Sequence, residues 1–150
     1  MIILKPKRLL YWILFGIIAY QVFGYVKIQT HGDVIVYKRL AKAIMKYDDY
    51  ELRYVSIGDV ASEIQGTQKE RQSLFYGSNI LFTYYIIKSR SISPDEQSVY
   101  LVAEQVSRVN PPGYDTLWGE SVVRLKHEVR LVKKDNRWVV SSFEDLAIDS

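Results

Sequence analysis

Residues 123–143 read VRLKHEVRLVKKDNRWVVSSF, and the alternation within this stretch decides the fold. Val123, Leu125, His127, Val129 and Leu131 fall on one side of a period of two, and Arg124, Lys126, Glu128 and Arg130 fall on the other. Successive side chains of a strand point to opposite faces, so the pattern predicts a strand with one buried and one wet face. Asp135-Asn136 forms a tight link, after which Trp138, Val139, Val140 and Phe143 supply a second arm. A hairpin that is apolar inside and charged outside belongs to an antiparallel sheet with one solvated face.

Upstream of the hairpin, Asn110-Pro111-Pro112-Gly113 stops a preceding strand, because two prolines cannot sit inside a ladder. That strand spans residues 99–109, with Val99, Leu101 and Ala103 alternating against Tyr100, Val102 and Glu104. Ser93-Pro94-Asp95-Glu96 is turn chemistry. Before it, Ile80 to Ile87 (ILFTYYII) is apolar on both faces apart from Thr83, and reads as a central strand reaching Arg90.

Earlier still the period becomes helical. Asp33 is the expected N-cap of a helix whose Val36, Leu40, Ile44 and Tyr47 form one stripe, ending near Asp48-Asp49. Lys38, Arg39, Lys42 and Lys46 occupy its other side, where they face solvent or anionic lipid. Ser56-Ile57-Gly58-Asp59 and Thr67-Gln68-Lys69-Glu70 are two capping boxes that predict two short helices, the first stopped at Gly66 and the second carried by Leu74 and Phe75 to Gly77. Helices first and a meander afterwards predict an α+β domain, with about three helices packed on a curled four-stranded antiparallel sheet.

The chain begins differently. Leu9 to Val26 (LLYWILFGIIAYQVFGYV) carries no charge, and Lys5, Lys7 and Arg8 precede it. At ~1.5 Å per residue such a run makes roughly 27 Å of helix, close to the thickness of a hydrocarbon core. Tyr11, Trp12 and Tyr25 sit where interfacial aromatics belong, and Lys27 can snorkel from a span extended to Ile28. The run is long for a cleaved signal peptide, so an uncleaved signal-anchor is expected. The expected plan is a basic cytoplasmic tail over residues 1–8, a transmembrane anchor over 9–28 and an extracytoplasmic (periplasmic) domain over 33–145. That domain would face its partners from the outer side of an inner or plasma membrane.

Four of the 20 basic residues flank the apolar run, which leaves 16 against 17 acidic residues from Ile28 onward. The domain has no positive surplus to concentrate on one face, and nucleic acid is excluded as a partner on that ground. With no cysteine, there is no thiol nucleophile or disulfide. His31 and His127 stand in no metal-ligand spacing and no glycine-rich loop follows a strand, so no catalytic residue, metal or cofactor is expected. His127 is the one polar side chain on an apolar strand face. It reads either as a core histidine satisfied by tyrosine or backbone, or as the centre of a small-ligand-binding or isomerase-like pocket.

The layout resembles the nuclear transport factor 2-like superfamily, whose members place helices before long curled strands and end on a hairpin of the type VRLVKKDNRWVVSSFE, Val129 to Glu144 here. The resemblance implies a cone-shaped domain. With an anchor ahead of it, the chain is similar in plan to the inner-membrane scaffold subunits of type IV secretion and conjugation systems, which carry an Asn-Pro-x-Gly motif matched by Asn110-Pro111-Pro112-Gly113. A non-enzymatic interaction or assembly protein is expected, on the missing nucleophile, metal set and phosphate loop and on a tether that would restrict an enzyme of soluble metabolites. Its expected partners are membrane lipid and envelope or membrane proteins, further copies of itself among them. Arg124, Lys126 and Arg130 on the outer strand face, with Asn110 and Gly113, are the expected interaction residues. The lysines and arginine of the first domain helix are the expected membrane-facing set.

Overall fold

The alternating 123–143 stretch forms the hairpin its pattern predicts, and the rest of the sheet is laid down beside it. The structure, a computed structural model, describes residues 5–67, 75 and 77–147. Among the described residues there are four helices, α1 (Pro6–Gln29), α2 (Gly32–Lys46), α3 (Asp49–Val55) and α4 (Val60–Gly66). Four strands follow, β1 (Asn79–Ile92), β2 (Ser98–Asn110), β3 (Ser121–Lys134) and β4 (Arg137–Ala147). The strands form one open antiparallel meander in the order β1-β2-β3-β4. This is the α+β arrangement expected, with α2, α3 and α4 covering one face of the sheet.

Asp135 and Asn136 both adopt positive φ, 51° and 58°, the two-residue turn whose twist matches that of the flanking strands. On the inner face of β3, Leu125, Val129 and Leu131 are buried with His127. They meet Leu101 and Val99 of β2, and the buried residues Val34, Tyr37, Leu40 and Ala41 of α2 close the core over them. Each fully buried aliphatic side chain contributes about 1.5–3 kcal/mol. The α2 stripe is rotated from its expected position: Tyr37 is fully buried, whereas Tyr47 is exposed and closes the helix in a left-handed conformation.

Local capping departs from expectation in three places. Asp33 does not cap α2, whose N-cap is His31; its carboxylate is buried and bound to Arg90 of β1, at 2.9 Å from Nε and 3.1 Å from Nη2. The long-range ion pair outcompetes the local cap. Ser56 does not open a capping box either. It closes α3 by donating its hydroxyl to the Leu52 carbonyl, and it bridges to Val140 of β4. The α3 helix itself was not expected; Asp48 caps it by accepting from the Glu51 amide at 3.1 Å. The helix expected from Thr67 to Gly77 falls for the most part outside the described residues.

β1 is not a central strand. It forms one edge of the sheet, and the interior positions belong to β2 and β3. Its inner face carries the buried Tyr85 and the half-buried Ile87, while Phe82 and Tyr84 stand exposed on the outer face with their rings stacked at 6.4 Å. α1 has no buried residue, and it is long and apolar enough to cross a membrane.

Candidate functional site

His127 sits in a row running across three strands, between Ala103 of β2 and Asp145 of β4. The strand alternation aims its ring at α2, where the Tyr37 hydroxyl lies 2.8 Å from Nδ1. Nε2 faces Asp145 Oδ1 at 3.8 Å, an ion-pair distance beyond hydrogen-bond reach. The ring is enclosed by Phe143, with centroids 4.9 Å apart, and by Tyr37 at 5.8 Å. Burial, then the charges of Tyr85 and Asp145, push the Tyr37 phenol far above its ordinary ionisation range. Tyr37 therefore remains a neutral phenol, able to donate to Nδ1 when the ring proton is on Nε2 and to accept from it when the proton is on Nδ1. Burial also pushes Tyr85 up to about 12, and among the described residues its hydroxyl has no hydrogen-bond partner. His127 is 2% exposed, so this constellation joins α2 to the sheet and presents little of the ring to solvent.

On the outer face the expected interaction residues divide. Arg124 Nη1 pairs with Glu104 Oε1 at 3.1 Å, and Lys88 Nζ reaches the other oxygen of the same carboxylate at 3.1 Å. Lys126 pairs with Glu128 at 3.4 Å. Arg130 lies over the Tyr100 ring, 5.5 Å from its centroid, beside a groove of about 450 Å³ bordered by Ser93, Ser98, Val132 and Ser141. The stripe is thus largely neutralised within the sheet, with Arg130 at its freest end.

The expected membrane-facing set is also divided. Lys42 and Lys46 are exposed on α2, whereas Lys38 is half-buried, which together with the neighbouring Lys42 lowers the pKa of its ammonium. Arg39 Nε binds Glu51 at 2.6 Å, and both Arg39 and Arg137 approach the Tyr54 ring, at 5.3 and 4.4 Å.

Asn110 is a structural clasp. Its amide nitrogen donates to the Thr116 carbonyl at 2.8 Å, and its oxygen accepts from the Thr116 hydroxyl at 2.9 Å and the Glu120 amide at 3.1 Å. Buried to 2% exposure, it holds the β2–β3 loop against the sheet. Gly113 and Gly119 take positive φ in that loop, and a Cβ at Gly119 would meet the Val109 backbone nitrogen at 3.1 Å. The loop presents Tyr114, Leu117 and Trp118 to solvent, Leu117 being 84% and Trp118 71% exposed. Sequence reading passed over these three because they follow no period; the signal available was three large apolar residues inside a Pro/Gly-rich loop. Among the described residues, no group of three or more His, Asp or Glu could hold a metal ion.

No protein-family model matches the chain. No curated protein matches it either. Among solved structures, the chain is similar to the intermembrane space region of the chloroplast protein ARC6, with 14% identity and a TM-score of 0.49, over 75% of this chain and 92% of that one.

Proposed function

We propose that the chain is a single-pass membrane protein whose extracytoplasmic domain is a non-enzymatic interaction and assembly module. The observation that carries the reading is the join between anchor and domain. Only Thr30 and His31 separate α1 from α2, and Gln29 at the end of α1 donates its side-chain amide to the Tyr85 carbonyl of β1 at 3.1 Å. A domain fixed to its anchor in this way holds a surface at a set height and angle over a membrane. That suits the ordering of neighbouring proteins better than the turnover of a diffusing substrate. The pocket reading centred on His127 draws less support, because the ring is buried and enclosed by Tyr37 and Phe143.

The finer reading, a nuclear transport factor 2-like scaffold subunit of a secretion or conjugation machine, rests on the hairpin and on Asn110-Pro111-Pro112-Gly113. Since Asn110 is consumed in holding its loop, the partner surface is better sought at Arg130 and Arg124. Crosslinking of the full chain in its own membranes tests this. Discrete adducts should form with the wild type and be largely lost when Arg124→Glu and Arg130→Glu are combined. Adducts that survive both changes overturn the hairpin face as the docking surface. C-terminal reporter fusions active only in the cytoplasm overturn the orientation.

A further inference from the structure

The outer face of the sheet carries charge at one place and aromatic surface at another. Phe82 of β1, Arg108 of β2 and Val122 of β3 occupy one row across three strands, and Tyr84, Val106 and Arg124 occupy the next. Phe82, Tyr84 and Val122 are exposed. Gly119 of the β2–β3 loop lies against the same row, its Cβ position 3.3 Å from Arg108 Cβ, so the loop that displays Tyr114, Leu117 and Trp118 borders this end of the sheet. The clasp at Asn110 fixes the loop, and the apolar side chains are displayed from a set backbone.

Where this surface stands is given by the anchor. Gln29 lies three residues beyond Val26, the last apolar residue before Lys27, and at 1.5 Å per residue this is about 5 Å past the end of the apolar run. Gln29 is bonded to the Tyr85 carbonyl, so β1 meets α1 just past the end of the apolar run, which is headgroup height if α1 spans a bilayer. Phe82 is three residues along the same strand, about 10 Å away. All of α1 up to Lys27 is exposed, so the helix leaves the domain at this point instead of running along it.

We infer that the end of the sheet bearing Phe82, Tyr84 and Val122, with Leu117 and Trp118 of the β2–β3 loop, rests on the surface of the bilayer that holds α1. Tryptophan and tyrosine favour the boundary between headgroups and acyl chains, where an apolar ring and a polar tip are both satisfied. The charge within the patch suits headgroup phosphates: Arg108 lies in the same row as Phe82 and Val122. The inference rests on α1 being a membrane span and adds which face of the domain meets that membrane.

The chain has no cysteine, so a single introduced thiol can carry an environment-sensitive fluorophore. Leu117→Cys places it on the loop, and Tyr50→Cys places it on the exposed surface of α3 as a control. Full-length protein is reconstituted into lipid nanodiscs with or without lipids brominated on the acyl chain near the headgroup. The probe at residue 117 should lose about half its emission in brominated discs, and the probe at residue 50 should be unchanged. A probe at residue 117 that ignores brominated lipid but is shielded from aqueous iodide overturns the inference in favour of a protein contact. One open to iodide and blind to bromine overturns it in favour of bare solvent. Both of these outcomes leave the anchor reading intact, whereas failure of the chain to enter discs overturns the two together.

Discussion

β1 and β3 invert the usual relation between sequence and position in a sheet. From Val123 to Leu131 β3 alternates apolar against charged, with His127 the one polar side chain on the apolar face, and it is an interior strand. β1 is apolar on both faces over Ile80–Ile87, and it is an edge. The difference teaches that polarity of a face reports what covers that face, while position in the ladder reports what pairs with the backbone. β3 has hydrogen-bonding neighbours on both sides and, from Arg124 to Arg130, charged side chains over one face. β1 has a neighbour on one side, the helical layer under one face and, on our inference, lipid against the other.

The sharpest break of this comparison lies within β1 itself. Near its end, Arg90 reaches the buried Asp33 at the start of α2, so that part of the strand serves the core. Arg90→Ala leaves Asp33 buried without its partner, and we expect a loss of about 3–5 kcal/mol. Phe82→Ser, on the same strand but with a side chain already 45% exposed, should cost about 1 kcal/mol or less. Denaturant unfolding of the full chain in detergent micelles reads both. Equal costs at the two positions would mean that β1 is uniformly a core strand and that its outer face is covered by protein.

A smaller effect sharpens the account of β3. Tyr37→Phe keeps the ring that packs on Tyr85 and His127 and removes the hydroxyl at His127 Nδ1. Taking away that buried partner should lower stability by roughly 1–3 kcal/mol. A change near zero would show that the contact contributes little beyond packing.

The hairpin and the meander order were legible because period-two alternation and turn chemistry are local properties of the chain. α3 was missed although Asp48 and Glu51 carry a capping signal, since Asp48-Asp49 also reads as the end of the preceding helix. The roles of Asp33 and Ser56 differ from the local caps their sequences suggest: Asp33 is claimed by Arg90, 57 residues away, and Ser56 closes the helix before it through the Leu52 carbonyl while its backbone bridges to β4. At the candidate site, the alternation placed His127 on the inner face with tyrosine or backbone as its expected partners in the core reading; which of the 12 tyrosines meets it depends on the rotation of α2. Arg124, Lys126 and Arg130 were correctly placed on one face. That Arg124 and Lys126 would find carboxylates while Arg130 stacks on Tyr100 depends on register, which alternation alone leaves open.

The weakest expected effect joins the two strands under comparison. Glu104 of β2 binds Lys88 of β1 and Arg124 of β3, and those partners, Lys88 first, hold its carboxyl below the ordinary glutamate range against the opposing effect of burial. A carboxyl depressed in the folded state binds fewer protons there than in the unfolded chain. Its contribution is present in full above the unfolded-state pKa and disappears as pH falls through the lower, folded value. The wild type should therefore lose more stability on acidification through this window than Glu104→Gln does. Lys88 and Arg124 are about half exposed, and solvent screening limits the difference to roughly 1 kcal/mol or less. High salt should shrink it further. Unfolding midpoints of the two proteins that fall in parallel from neutral to acid pH would show that Glu104 does not couple β1 to β3, and that the edge strand is held by its ladder and its inner face alone.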